Sequence, residues 1–402
     1  MLRDTRAFIV STCFGVTFAG AVALATSGWA QSAGPLKVGV LMPTSGLFAP
    51  IGIEQINGMQ IAIDEFNGVV AGRKVELIVE DTEGRPATGL TKARKLVTSD
   101  KVDVLAGIVS SAVALAVGPF VAKERIPLVI SNAGTDLLSG EKCERFVIRA
   151  SYSVSQYSIP IGEWMAKNGK KRVFILASDY VAPREVVEGF RKAYVASGGT
   201  IVGEAYPPFG KTQDYGPYIA QARATNPDAI FGIFYGTEAI LFVKQYDAFG
   251  MRDKIPLFSG IGITPPNLRD AQGASAAGVI SSANYVPELD TPENKKFVAA
   301  YTAKFKTGPG EFAAYGYDTM RVILEGAKAL NGDTADKAAY VTAMEKIAFT
   351  GPRGPIKLSS TDRGITQHIY IVKTVLKGNE VVFEILDTIR NVADPVTGCK
   401  LN

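Results

Sequence analysis

The sequence contains very little histidine and cysteine. Its 402 residues include one histidine and three cysteines, too few ligands for a zinc site built from Cys and His. One imidazole also leaves little scope for general acid or base catalysis. The chain has no Gly-x-Ser-x-Gly elbow, no Walker phosphate loop and no Gly-x-Gly-x-x-Gly string that opens a helix. We therefore expect a protein that is not an enzyme and that binds no metal or other cofactor.

The sequence also lacks a block of basic residues. Its 43 Lys and Arg residues nearly balance its 39 Asp and Glu residues, and the net charge of +4 is spread along the chain. Binding to nucleic acid needs a dense patch that neutralises phosphates, so this class of function is excluded. A hydrophobic share of 47% in a chain of this length indicates a folded protein with room for two cores.

The first thirty residues have the pattern of an export signal. Arg3 and Arg6 precede an apolar stretch over residues 7–25, and small residues surround Trp29 before Ala30. This order predicts a signal peptide that is cleaved after Ala30. An uncleaved membrane anchor and a lipid attached to Cys13 are the alternatives. No later run reaches the roughly 18 to 20 apolar residues of a membrane span.

Export also bears on the pairing of the cysteines. Cleavage after Ala30 removes Cys13 and leaves Cys143 and Cys399 in an oxidising compartment. We predict a disulfide between them, with two free thiols as the alternative. A bridge across so long a loop could stabilise the fold by up to about 5 kcal/mol in the chain-entropy model.

From residue 36 onward, short β-rich runs alternate with helical runs. The strand predicted at residues 36–42 ends in a Pro-Thr-Ser-Gly turn, and an apolar stripe then predicts a helix near 52–66. Further strands are predicted at residues 74–79, 102–105, 127–131, 172–177, 200–205, 229–234 and 257–259. Two facing strands are predicted at residues 366–373 and 381–386, joined by a turn at residues 377–380. Alternation at this spacing predicts an α/β fold in which parallel sheets carry helices on both faces.

The alternation breaks near residues 143–153, 278–285 and 351–355. Three breaks predict two lobes, each discontinuous in sequence: the first with residues 36–152 and 286–354, the second with 153–285 and 355–402. Ligands of open parallel sheets lie outside the carboxyl ends of the strands. We therefore expect a binding cleft between the lobes.

Hydroxyl residues and aromatics follow several predicted strands. Ser110 and Ser111 follow one strand, and Ala133, Gly134 and Thr135 follow the next, each group before a helix. Helix N-termini favour a carboxylate, although serine is also a common helix cap without any ligand. Tyrosine offers an apolar face and one polar tip, which suits a small organic acid. The aromatic candidates are Phe48, Tyr180, Phe234, Tyr235 and Tyr285.

Four strings together resemble a known family. They are "KVGVLMPTSGLFAPIGIEQINGMQIAIDEFN", "GIVSSA", "SNAGTD" and "FAAYGYDTM". The chain resembles periplasmic substrate-binding proteins of the branched-chain amino acid (Leu/Ile/Val) type, which serve ABC importers, over essentially all of residues 36–390. The resemblance implies a monomeric type I periplasmic binding protein with two Rossmann-like lobes, three hinge crossings and a membrane permease as partner. It also implies that Ser110 binds the ligand carboxylate beside Gly134 and Thr135, and that Tyr180 and Tyr235 contribute from the second lobe.

One position departs from that family. Amino-acid binders of this type carry an acidic residue for the ligand ammonium in a Gly-Pro-Glu-Gly-like string, where this chain has Ile261. An ammonium buried there would lose its charge partner, at a penalty of several kcal/mol. We therefore expect an aromatic or other amine-free carboxylate. A branched-chain amino acid, with Glu238 as the acid, is the first alternative; a sensory module and a hydrolase that uses Asp179 and Tyr180 are the others.

Overall fold

The computed structural model describes residues 34–361 and 363–401, together with the isolated positions Met1 and Ala7. The predicted signal peptide, with its cleavage site and Cys13, otherwise lies outside the described residues. Residues 34 onward belong to one compact unit. Among the described helices, none combines the length and the apolar character that crossing a membrane requires.

The first sheet contains the first six strands of the chain. Its order is β2-β3-β1-β4-β5-β6, and every neighbouring pair except β2 with β3 is parallel. The strands are β1 (Leu36–Met42), β2 (Val69–Val70), β3 (Arg73–Asp81), β4 (Val104–Gly107), β5 (Leu128–Ile130) and β6 (Val147–Arg149). The helices between them are α1 (Ala49–Glu65), α2 (Pro86–Thr98) and α3 (Ser111–Glu124).

The second sheet begins after the first crossing. Its parallel part has the order β11-β10-β9-β7-β8. The strands are β7 (Arg172–Ala177), β8 (Thr200–Ala205), β9 (Ala229–Ile233), β10 (Leu257–Ser259) and β11 (Ile280–Ala283). The helices are α4 (Val154–Lys167), α5 (Val181–Ala196), α6 (Gly216–Ala224), α7 (Gly236–Ala248) and α8 (Pro266–Gln272).

After β11 the chain returns to the first sheet, where its next helices pack into the same core as β1. It forms α9 (Pro292–Phe305), α10 (Glu311–Ala329) and α11 (Lys337–Glu345). The backbones of α1 and α10 touch, since a Cβ at Gly58 would lie 1.9 Å from the carbonyl oxygen of Ala313. A Cβ at Gly316 would lie 2.0 Å from the carbonyl oxygen of Gln55. Glycine at both positions allows the two helices to pack this closely.

Antiparallel strands continue the second sheet, and the first two of them also pack into the hydrophobic core of the first sheet through Phe349, Ile356 and Leu358. The strands are β12 (Ala348–Gly351), β13 (Gly354–Leu358), β14 (Ile365–Lys377) and β15 (Glu380–Val392). The β14–β15 pair turns at Gly378, with φ of 63°, where the sequence predicted it. The predicted alternation of strands and helices is confirmed. The β12–β13 hairpin and α11 were not predicted, and β14 and β15 are longer than expected.

A buried polar network joins the three crossings. The Arg353 side chain forms an ion pair with Asp318 and donates to the Ser151 carbonyl at 3.0 Å in the first crossing. Gln367 accepts from Arg353 and also donates to the Ser151 carbonyl at 3.0 Å. Asn284, in the second crossing, donates to Gln367 at 3.2 Å. All three chain connections between the lobes are therefore tied at one point.

The carboxyl-terminal tail is fastened to the first lobe. The disulfide predicted between Cys143 and Cys399 is confirmed. Close to it in sequence, Asp394 forms an ion pair with Arg149 at 2.6 Å, and both side chains are buried. Asp394 also accepts from Ser153 at 2.7 Å, so the tail braces the start of the first crossing.

Candidate ligand-binding site

The loop that follows β4 has an unusual backbone. Gly107 has φ of 122° and Ile108 has φ of 76°, a region that a β-branched side chain rarely adopts. Such a conformation costs on the order of 1 to 3 kcal/mol and is found mostly where a site requires it. The chain then reaches Ser110, the N-cap residue of α3, whose side chain makes no capping hydrogen bond. The Ser110 hydroxyl thus stands at a helix N-terminus without serving the helix.

The loop that follows β5 lies against this first loop. The Ala133 amide donates to the Ile108 carbonyl at 3.1 Å, and the Thr135 amide donates to the Ser111 hydroxyl at 3.3 Å. Arg149, held by Asp394, donates to the Thr135 carbonyl at 2.7 Å. The structure therefore brings the two predicted hydroxyl loops together and holds Thr135 in place from the first crossing.

Four tyrosines form a cluster beside these loops. A Cβ at Gly134 would lie 2.6 Å from the Tyr152 ring, so this glycine and this ring are in contact. The Tyr152 ring packs on Tyr157 at 5.5 Å and on Tyr315 at 5.4 Å. Tyr235 packs against the same core as Tyr157, and burial, followed by the smaller effect of the Tyr235 hydroxyl, raises the pKa of Tyr157. We call Tyr152, Tyr157, Tyr235 and Tyr315 the tyrosine cluster.

Tyr235 and Ile261 bring the second lobe to this cluster. Tyr235 is the N-cap residue of α7, and its ring would lie 2.8 Å from a Cβ at Gly262, which has φ of 100°. Burial raises the pKa of Tyr235 to about 12, so its hydroxyl stays neutral. Ile261 is half-buried against the same core, as is Phe312 at the start of α10. These neighbours are apolar, whereas the Arg353 guanidinium lies over the Tyr315 ring at 5.1 Å.

A hydrogen bond that the sequence analysis missed joins the two lobes. The Thr135 hydroxyl lies 3.0 Å from Oε1 of Glu185, a half-buried residue of α5. Burial raises the pKa of Glu185, and the charge of Asp136 acts in the same direction. Glu185 lies within a charged helical run, a pattern typical of a face exposed to solvent. Its contact with Thr135 depends on how α5 packs against the first lobe, which the sequence pattern does not show.

Two predicted residues lie at the rim of the lobes. Tyr180, the N-cap residue of α5, is 42% exposed and stacks on Phe209 at 4.8 Å. Phe48 is half-buried, and its ring would lie 2.9 Å from a Cβ at Gly84. Both rings follow the carboxyl end of a strand, β7 for Tyr180 and β1 for Phe48.

Two other predicted residues lie in hydrophobic cores, and their contact with a ligand stays a prediction. Phe234 is fully buried between Tyr215 and Phe242, at ring distances of 5.2 and 4.3 Å. Successive residues of an extended chain point to opposite faces, so Phe234 and Tyr235 cannot both face the tyrosine cluster. Tyr285 is 2% exposed and packs on Phe297 in the first core.

Glu238 and Asp179, the two acidic residues named as alternatives from the sequence, are bonded to other groups of the second lobe. Glu238 accepts from the Ser178 hydroxyl and from the Gly210 amide, so it holds a loop of the second lobe. Asp179 forms an exposed ion pair with Arg184 at 2.7 Å. Neither arrangement favours the ammonium partner or the hydrolase considered from the sequence.

The comparisons with known proteins agree with this architecture. Residues 35–379 match the family model described as "Periplasmic binding protein". The chain is 30% identical to a Leu/Ile/Val-binding protein homolog of Brucella melitensis biotype 1, over 90% of this chain and 93% of that one. A substrate-binding protein of an ABC transporter from Sphaerobacter thermophilus superimposes with a TM-score of 0.87 at 32% identity, covering 90% of this chain and 99% of that one.

A second solved structure carries a ligand. It is a solute-binding protein of an ABC transporter from R. palustris, in complex with benzoate, with a TM-score of 0.82 at 33% identity. The alignment covers 91% of this chain and 100% of that one. These relatives are transport proteins rather than enzymes, and the family implies a periplasmic location. The chain therefore belongs to the periplasmic binding protein family, whose type I fold it shares, and is a substrate-binding protein of the ABC-transporter kind.

Proposed function

We propose that this protein captures an aromatic carboxylate of the benzoate kind, or another amine-free organic acid, between its lobes and delivers it to an ABC permease. The observation that carries the proposal is the position of two hydroxyl loops, at Ser111 and Thr135, directly beside the tyrosine cluster. A small acid with a ring needs both parts: donors for its head and an apolar wall for its body.

The carboxylate head is assigned to the first lobe. The Ser110 hydroxyl, with the amides at the start of the 14-residue helix α3, presents donors and the positive end of a helix dipole. Ser111, Ala133, Gly134 and Thr135 form the adjoining wall. A hydrogen bond to a charged oxygen contributes about 1.5 to 3 kcal/mol, so one such serine can change the affinity at least tenfold.

The body of the ligand is assigned to the tyrosine cluster and to the second lobe. Tyr235 and Ile261 contribute from that lobe, while Tyr180 and Phe48 close the mouth. Ile261 has no charge to offer an ammonium, which favours an amine-free ligand. The benzoate bound by the R. palustris relative supports the same ligand class.

A branched-chain amino acid is the second candidate, and Glu185 is the observation that favours it. Its carboxyl group lies at Thr135 and could accept a hydrogen bond from an ammonium. The name of the Brucella relative agrees with this candidate. Asp136, near Glu185, would add to the attraction of a cation.

The proposal includes the organisation of the chain around the site. Residues 36–152 and 286–354 form the first lobe, residues 153–285 and 355–402 form the second, and the Arg353 network is the pivot between them. Binding then shifts the population toward the closed form. The protein acts as a monomer after cleavage of its signal peptide at Ala30.

A thermal-shift panel tests the ligand class. Benzoate, 4-hydroxybenzoate and 3,4-dihydroxybenzoate are compared with leucine, isoleucine and valine, because a ligand that binds only the native state raises its melting temperature. Benzamide is the matched control, since it keeps the ring and lacks the charge. We expect the benzoates alone to raise the melting temperature. A shift with the amino acids and none with the benzoates would refute the proposal.

A further inference from the structure

Glu185 accepts a hydrogen bond from the Thr135 hydroxyl, which the proposed function places beside the carboxylate of the ligand. It reaches from α5 across to Thr135, and the two oxygens are 3.0 Å apart. The inference below rests on the proposed function, because it concerns what happens to Glu185 when a carboxylate arrives at Thr135.

The hydrogen-bonding capacity of Thr135 limits what this contact allows. A threonine hydroxyl donates one hydrogen bond and accepts up to two. The Leu137 amide already donates to it at 3.4 Å. An ionised Glu185 accepts the one hydrogen bond that the Thr135 hydroxyl can donate, so this hydroxyl has no proton left to donate to a ligand. A protonated Glu185 instead donates to the hydroxyl oxygen, and the hydroxyl proton becomes available to the ligand carboxylate.

The charged groups around Glu185 favour the protonated form once an anion is bound. Asp136, in the turn after Thr135, is a second carboxylate close by, and its charge raises the pKa of Glu185. Arg149 is the nearby cation and lowers that pKa, but its guanidinium is already paired with Asp394. A ligand carboxylate would add a third negative charge to this region.

Among the residues that the structure describes, the other groups near Glu185 are either paired or neutral. On α5 itself, Arg184 is paired with Asp179 at 2.7 Å. From α7, Tyr235 faces Glu185, and burial keeps its hydroxyl neutral. From α4, Tyr157 is buried, and burial raises its pKa well above the ordinary value, so its hydroxyl is likewise neutral. Repulsion between like charges is therefore relieved most directly by a proton on Glu185.

We propose that Glu185 takes up one proton from solvent when a carboxylate ligand binds, and that the Thr135 hydroxyl then turns its own proton toward the ligand. The proton ends on a carboxyl oxygen of Glu185, and no bond of the ligand is made or broken. An ammonium-bearing ligand behaves differently, because it pairs with ionised Glu185 and needs no proton. Proton uptake thus distinguishes the two ligand classes at this residue.

Calorimetric titration with benzoate tests this coupling. The titration is run at alkaline pH in phosphate and in Tris, whose heats of ionisation differ, so the difference in binding heat counts the protons taken up. We expect close to one proton per benzoate and a Kd that rises by up to about tenfold for each pH unit above the pKa of Glu185. In Glu185→Gln the amide can donate to Thr135 at every pH, so proton uptake falls to near zero and the Kd no longer changes with pH.

Glu188→Gln is the matched control, because Glu188 lies on the same helix, is exposed and bonds only with Arg191 among the described residues. It should retain the proton uptake of the native protein. Benzoate binding without proton uptake in the native protein would overturn this inference and leave the proposed function intact. Leucine binding that is lost in Glu185→Gln, with no benzoate binding at all, would overturn both.

Discussion

Arg353 and Asp318 form a fully buried ion pair where the three crossings between the lobes meet. The same guanidinium donates to the Ala150 and Ser151 carbonyls, so one side chain connects α10 with the first crossing. Removing one partner of a buried pair leaves a charge without compensation, which is typically more costly than replacing both.

Asp318→Asn should therefore lower the free energy of unfolding by about 3 to 5 kcal/mol. The matched control is Asp179→Asn, which breaks the half-exposed pair with Arg184 and should cost less than about 1 kcal/mol. Urea unfolding followed by circular dichroism measures both values. Equal effects of the two substitutions would contradict the importance given to the Arg353 network.

Ser110→Ala tests the assignment of the ligand head. Loss of a hydrogen bond to a charged oxygen should weaken benzoate binding by about 1.5 to 3 kcal/mol, or roughly ten- to a hundredfold. Since the side chain does not cap α3, stability should change little. Calorimetric titration gives the Kd, and Ser99→Ala at the far end of α2 is the control. An unchanged Kd would remove Ser110 from the site.

Gly134→Ala tests the contact between the hydroxyl loops and the tyrosine cluster. The new methyl group would meet the Tyr152 ring at 2.6 Å, so the ring must move, at a cost of about 1 to 3 kcal/mol in stability. Ligand affinity should fall with it. Gly308→Ala is the control, because nothing lies within 4 Å of a Cβ there. Binding equal to that of the native protein would show that the position of Tyr152 does not matter.

Glu311→Gln should remove one pH-dependent contribution to the free energy of unfolding. Burial raises the pKa of Glu311 from 4.5 to about 7, so the folded state binds a proton more tightly than the unfolded state. The stabilisation from this proton is complete below pH 4.5 and is lost as the pH rises toward 7. Because glutamine cannot ionise, the substitution removes this loss of stability and should stabilise the protein at pH 8 by on the order of 1 to 3 kcal/mol.

The difference between Glu311→Gln and the native protein should be small at pH 4.5 and should grow up to about pH 7. Urea unfolding at several pH values measures this difference. Glu293→Gln, at the exposed first turn of α9, is the control and should show no such growth. A constant difference across the pH range would contradict the assignment to Glu311.

The sequence predicted the fold well because hydrophobic periodicity and turn residues are local signals. Residues 36–283 alternate in strands and helices as expected, and the Cys143–Cys399 bridge followed from the export signal. The β12–β13 hairpin was missed because its Gly and Pro residues indicate a turn, while its pairing with β14 depends on residues distant in sequence. The lengths of β14 and β15 were underestimated for the same reason, since they depend on pairing between the two strands.

The candidate site was only partly accessible from the sequence. Ser111 and Thr135 meet because both follow parallel strands that end at one edge of the sheet, which can be inferred from the alternation. Phe234 and Tyr235 pack against different cores, and a strand end does not reveal which of two neighbouring aromatics points to which core. Glu185 was missed because its role depends on contact between the lobes, and a helical charge pattern carries no sign of such a contact.

Calorimetric titration of the native protein with benzoate, benzamide and leucine under one set of conditions decides between the two ligand classes. Benzoate should bind with a Kd in the micromolar range or below, which corresponds to about 8 kcal/mol of binding free energy or more. Benzamide, which lacks the anionic head, should give no measurable heat of binding. Leucine should give none either, because the uncharged Ile261 offers no partner to its ammonium group. Tight binding of leucine without binding of benzoate would contradict the proposed ligand class.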